Sequence, residues 1–341
     1  MKVAVYYNNN DVRVEERPRP SPGRGELLMR IEASGICGSD VMEWYRVPRA
    51  PLVLGHEVAG SVEQVGEGVE AFRAGDRIVT THHVPCGECH YCNSDRHSVC
   101  ETLRRTSFDP GGFAELVRLP AINVERGTFH LPDKVSFVGG SFVEPLACVV
   151  RAQRIAGLRP GTTVAVLGAG ISGILQIQYV RSAGAARIYA TDVSAFRLEL
   201  AKRFGADVVL SATADVVAEI REDNQGRGVD QVVVCTAARA ALDQALRLVD
   251  DGGTVLCFAP LGPDELFPMP MNELWRRGVQ IVNSYAGPPA EMRAAIELIA
   301  SGQVDVDGMV THRLGLDRAQ EGFRLMIEAG ESLKIILEPQ R

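Results

Sequence analysis

The chain has 341 residues, and its 46% hydrophobic and 23% charged residues are typical of a globular protein, which excludes a disordered or low-complexity chain. At roughly 100–200 residues per domain, this length predicts two domains, each with its own core. The net charge of −7, without a cluster of Lys and Arg, argues against a nucleic-acid-binding protein.

Short β-like runs separated by glycine- and proline-rich turns make up the first 150 residues. Short strands with frequent turns predict an antiparallel, barrel-like domain. The predicted strands of this domain are 2–6, 26–33, 60–65, 77–80 and 113–118.

Strands alternate with helices between residues 151 and 286, which predicts a doubly wound parallel sheet with helices on both faces. The predicted strands are 163–167, 187–191, 208–210, 231–235, 254–258 and 279–283. The predicted helices between them are 171–182, 194–204, 215–224 and 240–250. A last segment, from about residue 287, is predicted to contain a helix at 290–301 and short strands at 310–314 and 333–337.

The segment 160–180 carries no charge and is long enough to span a bilayer. Its glycines and glutamines fit a buried strand–turn–helix better than a membrane span. The chain opens without the apolar segment of a secretory signal. Eight cysteines in such a chain favour a metal site in a reducing cytoplasm over a disulfide framework. We therefore expect a cytoplasmic protein that does not enter a membrane.

A glycine motif, Gly-Ala-Gly-Ile-Ser-Gly, follows the apolar strand at 163–167 and opens the next helix. Asp192 lies 19 residues beyond the last glycine, at the end of the following strand, and this is the full context of a dinucleotide-binding fingerprint. A carboxylate there would accept the ribose hydroxyls and repel a 2′-phosphate, which favours NAD over NADP. The alternative is that Asp192 only caps the following helix. The candidate cofactor-binding residues are Gly168, Gly170, Ile171, Gly173, Asp192 and Arg197.

Four cysteines, Cys86, Cys89, Cys92 and Cys100, lie within 15 residues in the order C-x2-C-x2-C-x7-C. Four thiolates can close a tetrahedral zinc site and leave no position for substrate, so we expect a structural zinc. An iron–sulfur cluster is the alternative, but the last gap differs from the common ferredoxin spacing. Nucleic-acid binding through this lobe is a further alternative that the acidic net charge disfavours.

Three further segments carry residues that could bind a second metal ion: Cys37 in Gly-Ile-Cys-Gly-Ser-Asp, His56 and Glu57 in Gly-His-Glu, and Glu144 in Val-Glu-Pro-Leu. None is informative alone, because a lone Cys usually lies in a core and a lone Glu in solvent. The His-Glu pair is not a zincin motif either, because Gly60 stands where a second His is needed.

In chain order, Gly-His-Glu, the four-cysteine lobe, Glu-Pro-Leu-Ala-Cys and the glycine fingerprint resemble the zinc-dependent medium-chain alcohol dehydrogenases over essentially the whole chain. Within that family the sequence is most similar to the sorbitol and threonine dehydrogenase branch. The resemblance implies a GroES-like antiparallel β-barrel catalytic domain, formed by 1–150 and the returning segment 287–341, and a Rossmann domain at 151–286. It also implies a homotetramer or homodimer.

The resemblance further implies that Cys37, His56 and Glu57 ligate a catalytic zinc, with Glu144 as a fourth ligand or as the holder of its water. Each subunit would then hold two zinc ions and bind NAD. The zinc would ease loss of the alcohol proton before hydride passes to the nicotinamide. Ser39 would relay that proton, and Asp40 would either orient His56 or cap a following helix.

Several positions depart from the branch and leave the substrate open. Met42 and Glu43 stand where relatives tend to carry His and Tyr, and Ser284 stands where they tend to carry Arg. We expect Glu43 to face solvent rather than substrate. Two adjacent histidines, His82 and His83, are expected to point to opposite faces of a strand and to be structural or surface residues.

The sequence therefore predicts an NAD- and zinc-dependent dehydrogenase for a secondary alcohol of a polar small molecule, such as a polyol, cyclitol, sugar derivative or hydroxy amino acid. A simple aliphatic alcohol dehydrogenase or ketone reductase is the first alternative. A non-catalytic zinc- and nucleotide-binding protein is the second.

Overall fold

The chain forms two compact units in the computed structural model, which describes residues 1–341. The first unit comprises Met1–Cys148, Ala286–Gly302 and Val306–Arg341. The second comprises Val149–Tyr285 and Gln303–Asp305. No helix in the chain is both long enough and apolar enough to cross a bilayer.

The amino-terminal part of the first unit is mainly antiparallel. Its strands are β1 (Lys2–Asn8), β2 (Asp11–Glu16), β3 (Leu27–Gly35), β4 (Leu52–Val53), β5 (Glu57–Val65), β6 (Arg77–Thr80), β7 (Leu116–Leu119) and β8 (Thr128–His130). Its helices are α1 (Glu43–Arg46), α2 (Glu101–Arg105), α3 (Ala121–Gly127), α4 (Phe137–Gly140) and α5 (Val143–Ala156), of which α5 continues into the second unit. A 3-10 turn at Gly38–Val41 follows β3.

The second unit is a six-stranded parallel sheet in the order β11-β10-β9-β12-β13-β14. Its strands are β9 (Thr163–Leu167), β10 (Arg187–Asp192), β11 (Val208–Ser211), β12 (Val229–Val234), β13 (Val249–Cys257) and β14 (Gln280–Asn283). Its helices are α6 (Ile171–Ser182), α7 (Ala195–Arg203), α8 (Val216–Asp223), α9 (Arg239–Leu248) and α10 (Met271–Arg277). The central strands are buried on both faces, because the neighbouring residues Ala165 and Val166 of β9 point to opposite faces and are both 0% exposed. This is the expected pattern for a parallel sheet.

The carboxyl-terminal segment returns to the first unit. It contains α11 (Pro289–Ala300), β15 (Val310–Leu314), α12 (Ala319–Glu328) and β16 (Lys334–Leu337). Strand β16 pairs antiparallel with β3, where Ile336 lies opposite Gly35. This pairing makes β16 part of a seven-stranded sheet. Six of its strands follow one another in the order β15-β16-β3-β5-β6-β8, and the seventh, β7, pairs with β3.

The predicted fold class is confirmed: a largely antiparallel β unit is combined with a doubly wound parallel sheet. Seven helices, α1 to α5, α10 and α12, were not expected from the pattern. Helix α5 is buried almost all round, since Leu146, Val149 and Ala152 are 0% exposed, so it has no polar stripe to reveal it. The strand predicted at 60–65 begins three residues earlier in the structure, where β5 starts at Glu57.

Candidate active site

The ends of two paired strands bring Cys37, His56 and Glu57 together. Cys37 follows β3, and His56 and Glu57 stand at the start of β5. The two strands are antiparallel with Gly35 opposite Glu57, so the end of one meets the start of the other. One ligand atom from each of the three residues lies within 4.8 Å of the other two. A thiolate, an imidazole and a carboxylate at such spacing match the donors that zinc takes in catalytic sites with an open position.

His56 is held by a buried carboxylate. Its Nδ1 lies 3.6 Å from Oδ1 of Asp40, which has no exposed surface. Burial opposes a positive charge on this imidazole, but the charge of Asp40 and the hydrogen bond with Cys37 outweigh it and raise the pKa of His56 to about 10. Asp40 also accepts a hydrogen bond from the backbone N–H of Cys37, at 3.0 Å. Asp40 therefore lies against His56 and forms part of the capping box of its own turn, Gly38–Val41. It does not cap the following helix α1, whose N-cap residue is Met42.

Arg46 connects Asp40 to Ser39 and was not identified from the sequence. Its guanidinium donates to Oδ1 of Asp40 at 3.2 Å, to Oγ of Ser39 at 3.0 Å and to the backbone oxygen of Ser39 at 2.9 Å. Because Arg46 donates to Oγ, the hydroxyl hydrogen of Ser39 remains available to another acceptor. Glu43, on the same short helix, is exposed and accepts a hydrogen bond from the backbone of Asn9, which agrees with the expected solvent-facing position.

Glu57 forms an ion pair with Lys334, and both side chains are buried, at 1% and 0% exposure. Lys334 reaches Glu57 because β16 pairs with β3, and its Nζ also donates to the backbone oxygen of Ile36 at 3.3 Å. Gly35 makes room for the pair, because a Cβ at that position would overlap the Glu57 carboxylate and the end of the Lys334 side chain. A single Lys inside an otherwise apolar strand was the one sequence signal that could have revealed this partner.

Glu144 does not belong to the compact group of the first three ligands. It forms a second group with His82 and His83, in which the ligand atoms again lie within 4.8 Å of one another. Burial and the neighbouring Glu57 raise the pKa of Glu144 to about 7 against the opposing effect of His56. The expectation that the two histidines point to opposite faces is wrong. Strand β6 ends at Thr80, so strand alternation does not apply, and the two rings lie with their centroids only 3.7 Å apart.

The four cysteines of the lobe lie in contact. The Sγ atoms of Cys89 and Cys92 are 3.6 Å apart, those of Cys86 and Cys100 are 3.7 Å apart, and those of Cys86 and Cys92 are 3.9 Å apart. Zn–S bonds of about 2.3 Å in a tetrahedron place sulfur atoms about 3.8 Å from one another. The spacing therefore fits a single ion closed by four thiolates. A multi-iron cluster would bind these thiolates through different iron atoms.

The glycine motif of the second unit forms the turn between β9 and α6. Gly168 has a φ of +96°, which favours glycine, and a Cβ on Gly173 would overlap the Gly168 carbonyl oxygen. The space beside Gly170 is open, since its Cβ would meet only Nη1 of Arg197, at 3.9 Å. Ile171 begins α6, whose first N–H groups have no partner within the helix and can receive a phosphate.

Asp192 ends β10 beside this turn and is 6% exposed. Its carboxylate accepts hydrogen bonds from the backbone N–H of Ala169, at 2.8 Å, and of Ser194, at 2.9 Å. Ser194, and not Asp192, is the N-cap residue of α7, because its side chain accepts from the N–H of Arg197. Nε of Arg197 is buried and has no hydrogen-bond partner. The turn, Asp192 and Arg197 therefore form a cradle with two charged groups that can receive a dinucleotide.

Comparison with known proteins shows similarity along nearly the whole chain. Residues 23–133 match the model of the alcohol dehydrogenase GroES-like domain, and residues 172–301 match that of the zinc-binding dehydrogenases. The sorbitol dehydrogenase of Gallus gallus is 34% identical, with 98% of this chain and 95% of that protein covered. The L-threonine 3-dehydrogenase of Pyrococcus furiosus is also 34% identical, with 93% and 92% covered.

A solved structure shows the same fold. A protein of Sinorhizobium meliloti, solved with NADP bound, superimposes with a TM-score of 0.89 at 30% identity and covers 99% of both chains. The similarity therefore includes both units of the chain.

Proposed function

The chain belongs to the zinc-binding, medium-chain alcohol dehydrogenase family, and we propose that it oxidises a secondary alcohol of a polar small molecule with NAD as hydride acceptor. The substrate class is a polyol, cyclitol, sugar derivative or hydroxy amino acid. The observation that carries the proposal is the group of Cys37, His56 and Glu57, whose ligand atoms lie within 4.8 Å of one another.

Zinc bound by Cys37, His56 and Glu57 would supply the Lewis acidity that lowers the pKa of the alcohol hydroxyl. Asp40 would keep the His56 ring oriented, since its carboxylate faces Nδ1 and is itself fixed by Arg46. Lys334 would neutralise the charge of Glu57 and so restrict how that carboxylate moves.

Ser39, which is partly exposed, would accept the substrate proton at Oγ and give its own hydroxyl hydrogen to solvent water. The hydrogen bond from Arg46 stabilises negative charge on that oxygen and fixes its position. Glu144, whose pKa of about 7 lets it change protonation near neutral pH, would serve as a fourth ligand or hold the water at the open position.

NAD would bind at the turn between β9 and α6, with its pyrophosphate beside Gly170 and its adenosine ribose on Asp192. The related Sinorhizobium meliloti protein was solved with NADP, so the fold by itself does not select NAD. The preference for NAD here rests on the buried carboxylate of Asp192, which would repel a 2′-phosphate.

We assign the catalytic role to residues 1–150 and 287–341 and dinucleotide binding to residues 151–286. The lobe would hold a second, structural zinc, which gives two ions per chain. A homodimer or homotetramer would be formed through β14, an edge strand of the parallel sheet. The segment that precedes β14 in the chain exposes two large apolar side chains, Leu266 and Trp275. A cytoplasmic location would keep the lobe thiols reduced for zinc.

NADH production across a panel of polyols, cyclitols, sugar acids and β-hydroxy amino acids tests the proposal, with the Cys37→Ala variant as comparison. We expect turnover of a polyhydroxy or amino-hydroxy substrate by the wild type and none by the variant, which should still bind NADH. Full turnover by Cys37→Ala would disprove the metal mechanism. Activity on aliphatic alcohols alone would favour the simpler alcohol dehydrogenase.

The Cys100→Ala variant is the matched control, because Cys100 belongs to the other zinc group. A structural zinc contributes folding free energy, so this variant should be less stable than the wild type. The molecules that remain folded should still turn over substrate. NADH binding without turnover of any substrate by the wild type would indicate the non-catalytic alternative.

A further inference from the structure

His82, His83 and Glu144 form a compact group of ligand atoms that stands beside the proposed zinc site. The group shares no residue with Cys37, His56 and Glu57. The two sets are neighbours, because the ring centroids of His56 and His82 lie 4.7 Å apart. The proposed reaction uses Glu144 but has no role for either histidine.

The backbone directs both imidazoles to the same place. Strand β6 ends at Thr80, and the next residue, Thr81, bends the chain by accepting a hydrogen bond at Oγ1 from the N–H of His83, at 3.2 Å. The N–H of Thr81 donates to Gly127 at 3.0 Å, and the carbonyl of Thr81 accepts from the side chain of Asn123 at 2.9 Å. The bend is therefore fixed on two sides.

The donor atoms are suited to a metal ion. Two imidazoles and a carboxylate lie within 4.8 Å of one another, and this donor set binds borderline divalent ions such as Zn²⁺ and Co²⁺. Nδ1 of His82 is buried and has no hydrogen-bond partner in the protein. A buried ring nitrogen without a partner is costly, and a ligand is one way to satisfy it.

The charges of the region decide how many ions it can hold. With Cys37 as thiolate, Glu144 ionised and His56 neutral, as metal binding requires, it contains four negative groups and two positive ones. This leaves a net charge of −2 that one divalent ion neutralises. A second divalent ion would leave +2 in a largely buried place. The six groups are Cys37, Asp40, Glu57, Glu144, Arg46 and Lys334.

We propose that His82, His83 and Glu144 are a second binding set for the same divalent ion, alternative to Cys37, His56 and Glu57. The proposal rests on the function proposed above, since it concerns the ion of that site. An ion released by the thiolate set would be kept by the histidine set and would not be lost to solvent. His82 and His83 are thus metal-retaining residues.

Zinc content per chain, measured by elemental analysis on zinc-saturated and desalted protein, tests the proposal. The wild type should hold two zinc ions, one of them in the lobe. Cys37→Ala should also hold two, because the histidine set remains. Cys37→Ala combined with His82→Ala and His83→Ala should hold one. The same triple variant built with Gln at both histidine positions keeps more of the side-chain volume, in case the alanines disturb folding.

The chelator sensitivity of the non-lobe zinc gives a second readout. His82→Ala/His83→Ala should lose this ion to a chelator about tenfold faster than the wild type, the scale of a lost supporting contact to a metal site. His130→Ala removes an exposed histidine of the same unit and should leave the rate unchanged. In Cys37→Ala, Co²⁺ outside the lobe should show no thiolate-to-cobalt charge transfer, because the histidine set has no thiolate.

The outcomes separate this proposal from the proposed function. Two zinc ions in the wild type but one in Cys37→Ala would overturn the second set and leave the dehydrogenase proposal intact. A triple variant that still holds two ions would overturn it as well, and three ions in the wild type would contradict alternative occupancy. An active wild type whose zinc is confined to the lobe would defeat the proposed function itself.

Discussion

The carboxylate of Asp192 has an observed structural role beside its proposed functional one. Both of its oxygens accept backbone hydrogen bonds, from Ala169 and Ser194, which hold the carboxylate at the end of β10. These contacts fix its position beside the glycine turn, where a ribose would lie. The sequence allowed either a ribose ligand or a helix cap, and the structure assigns the cap to Ser194.

Replacement of Asp192 should change the choice of cofactor. Asp192→Gly removes the acceptor for the ribose hydroxyls and the charge that repels a 2′-phosphate. The KM for NAD should therefore rise far more than the KM for NADP, as measured by initial rates with each cofactor. Asp192→Asn, which keeps a hydrogen-bond acceptor for the backbone, controls for local misfolding. Equal increases for both cofactors would refute the ribose role.

His56 makes zinc binding dependent on pH. Its pKa of about 10 means that the imidazole of the metal-free protein is protonated at neutral pH, and zinc must displace that proton. Zinc affinity of the active site should rise by about tenfold per pH unit for each proton displaced, until pH approaches 10. Competition with a chelator at pH 6.5, 7.5 and 8.5 measures this.

The stability of the metal-free protein changes with pH in the opposite direction to zinc affinity, since it falls as pH rises. A pKa raised above 6.5 stabilises the folded state fully below pH 6.5, and this stabilisation is lost as pH rises toward 10. Asp40→Asn removes the main charge that raises the pKa of His56 and should flatten both trends. Zinc affinity that stays constant from pH 6.5 to 8.5 would contradict this account.

At the scale of elements, the β9–α6 turn contains two glycines with different roles, one in packing and one in the proposed cofactor binding. A Cβ on Gly173 would overlap backbone. The space beside Gly170 is open, because only Nη1 of Arg197 lies within 4 Å of an added Cβ. The φ of Gly170, −69°, suits any residue. Gly173→Ala should therefore cost on the order of 1–3 kcal/mol of stability, as overpacking does. Gly170→Ala should stay within about 0.5 kcal/mol of the wild type.

NADH binding should separate the same two variants. Gly170→Ala occupies the space proposed for the pyrophosphate, so its affinity for NADH should fall on the order of tenfold, or about 1.4 kcal/mol. Thermal unfolding and fluorescence titration with NADH measure the two effects. A Gly170→Ala variant that binds NADH like the wild type would place the pyrophosphate elsewhere.

The elements of the parallel sheet were predictable because each strand is a short apolar run bounded by turn residues. Strand β9 and helix α6 have the predicted bounds. Helix α5 was missed because it is buried almost all round and has no polar stripe, and because Pro145 in its first turn suggests a break, although proline is tolerated there.

The active site was predictable only where a motif carried it. Cys37, His56 and Glu57 belong to short segments that resemble a known family, and the structure brings their ligand atoms together. Lys334 is 277 residues from Glu57 in sequence, and only the pairing of β16 with β3 brings it there. No local pattern predicts such a long-range ion pair.

At the scale of the whole molecule, the first unit contains two groups of candidate zinc ligands with different chemistry, besides the histidine set. The lobe offers four thiolates and closes on itself, whereas Cys37, His56 and Glu57 offer three different donors. A closed set has a structural role, and a three-donor set leaves a position for substrate. We therefore assign catalysis to a zinc ion at the three-donor set and folding stability to a zinc ion in the lobe.

The most direct test is to remove zinc in steps with a chelator while zinc content, lobe thiol accessibility and NADH production are measured on the same sample. We predict that activity falls in proportion to the loss of one zinc per chain, while the lobe thiols stay protected, and that added zinc restores it. Full turnover by protein whose zinc is confined to the lobe would contradict the account.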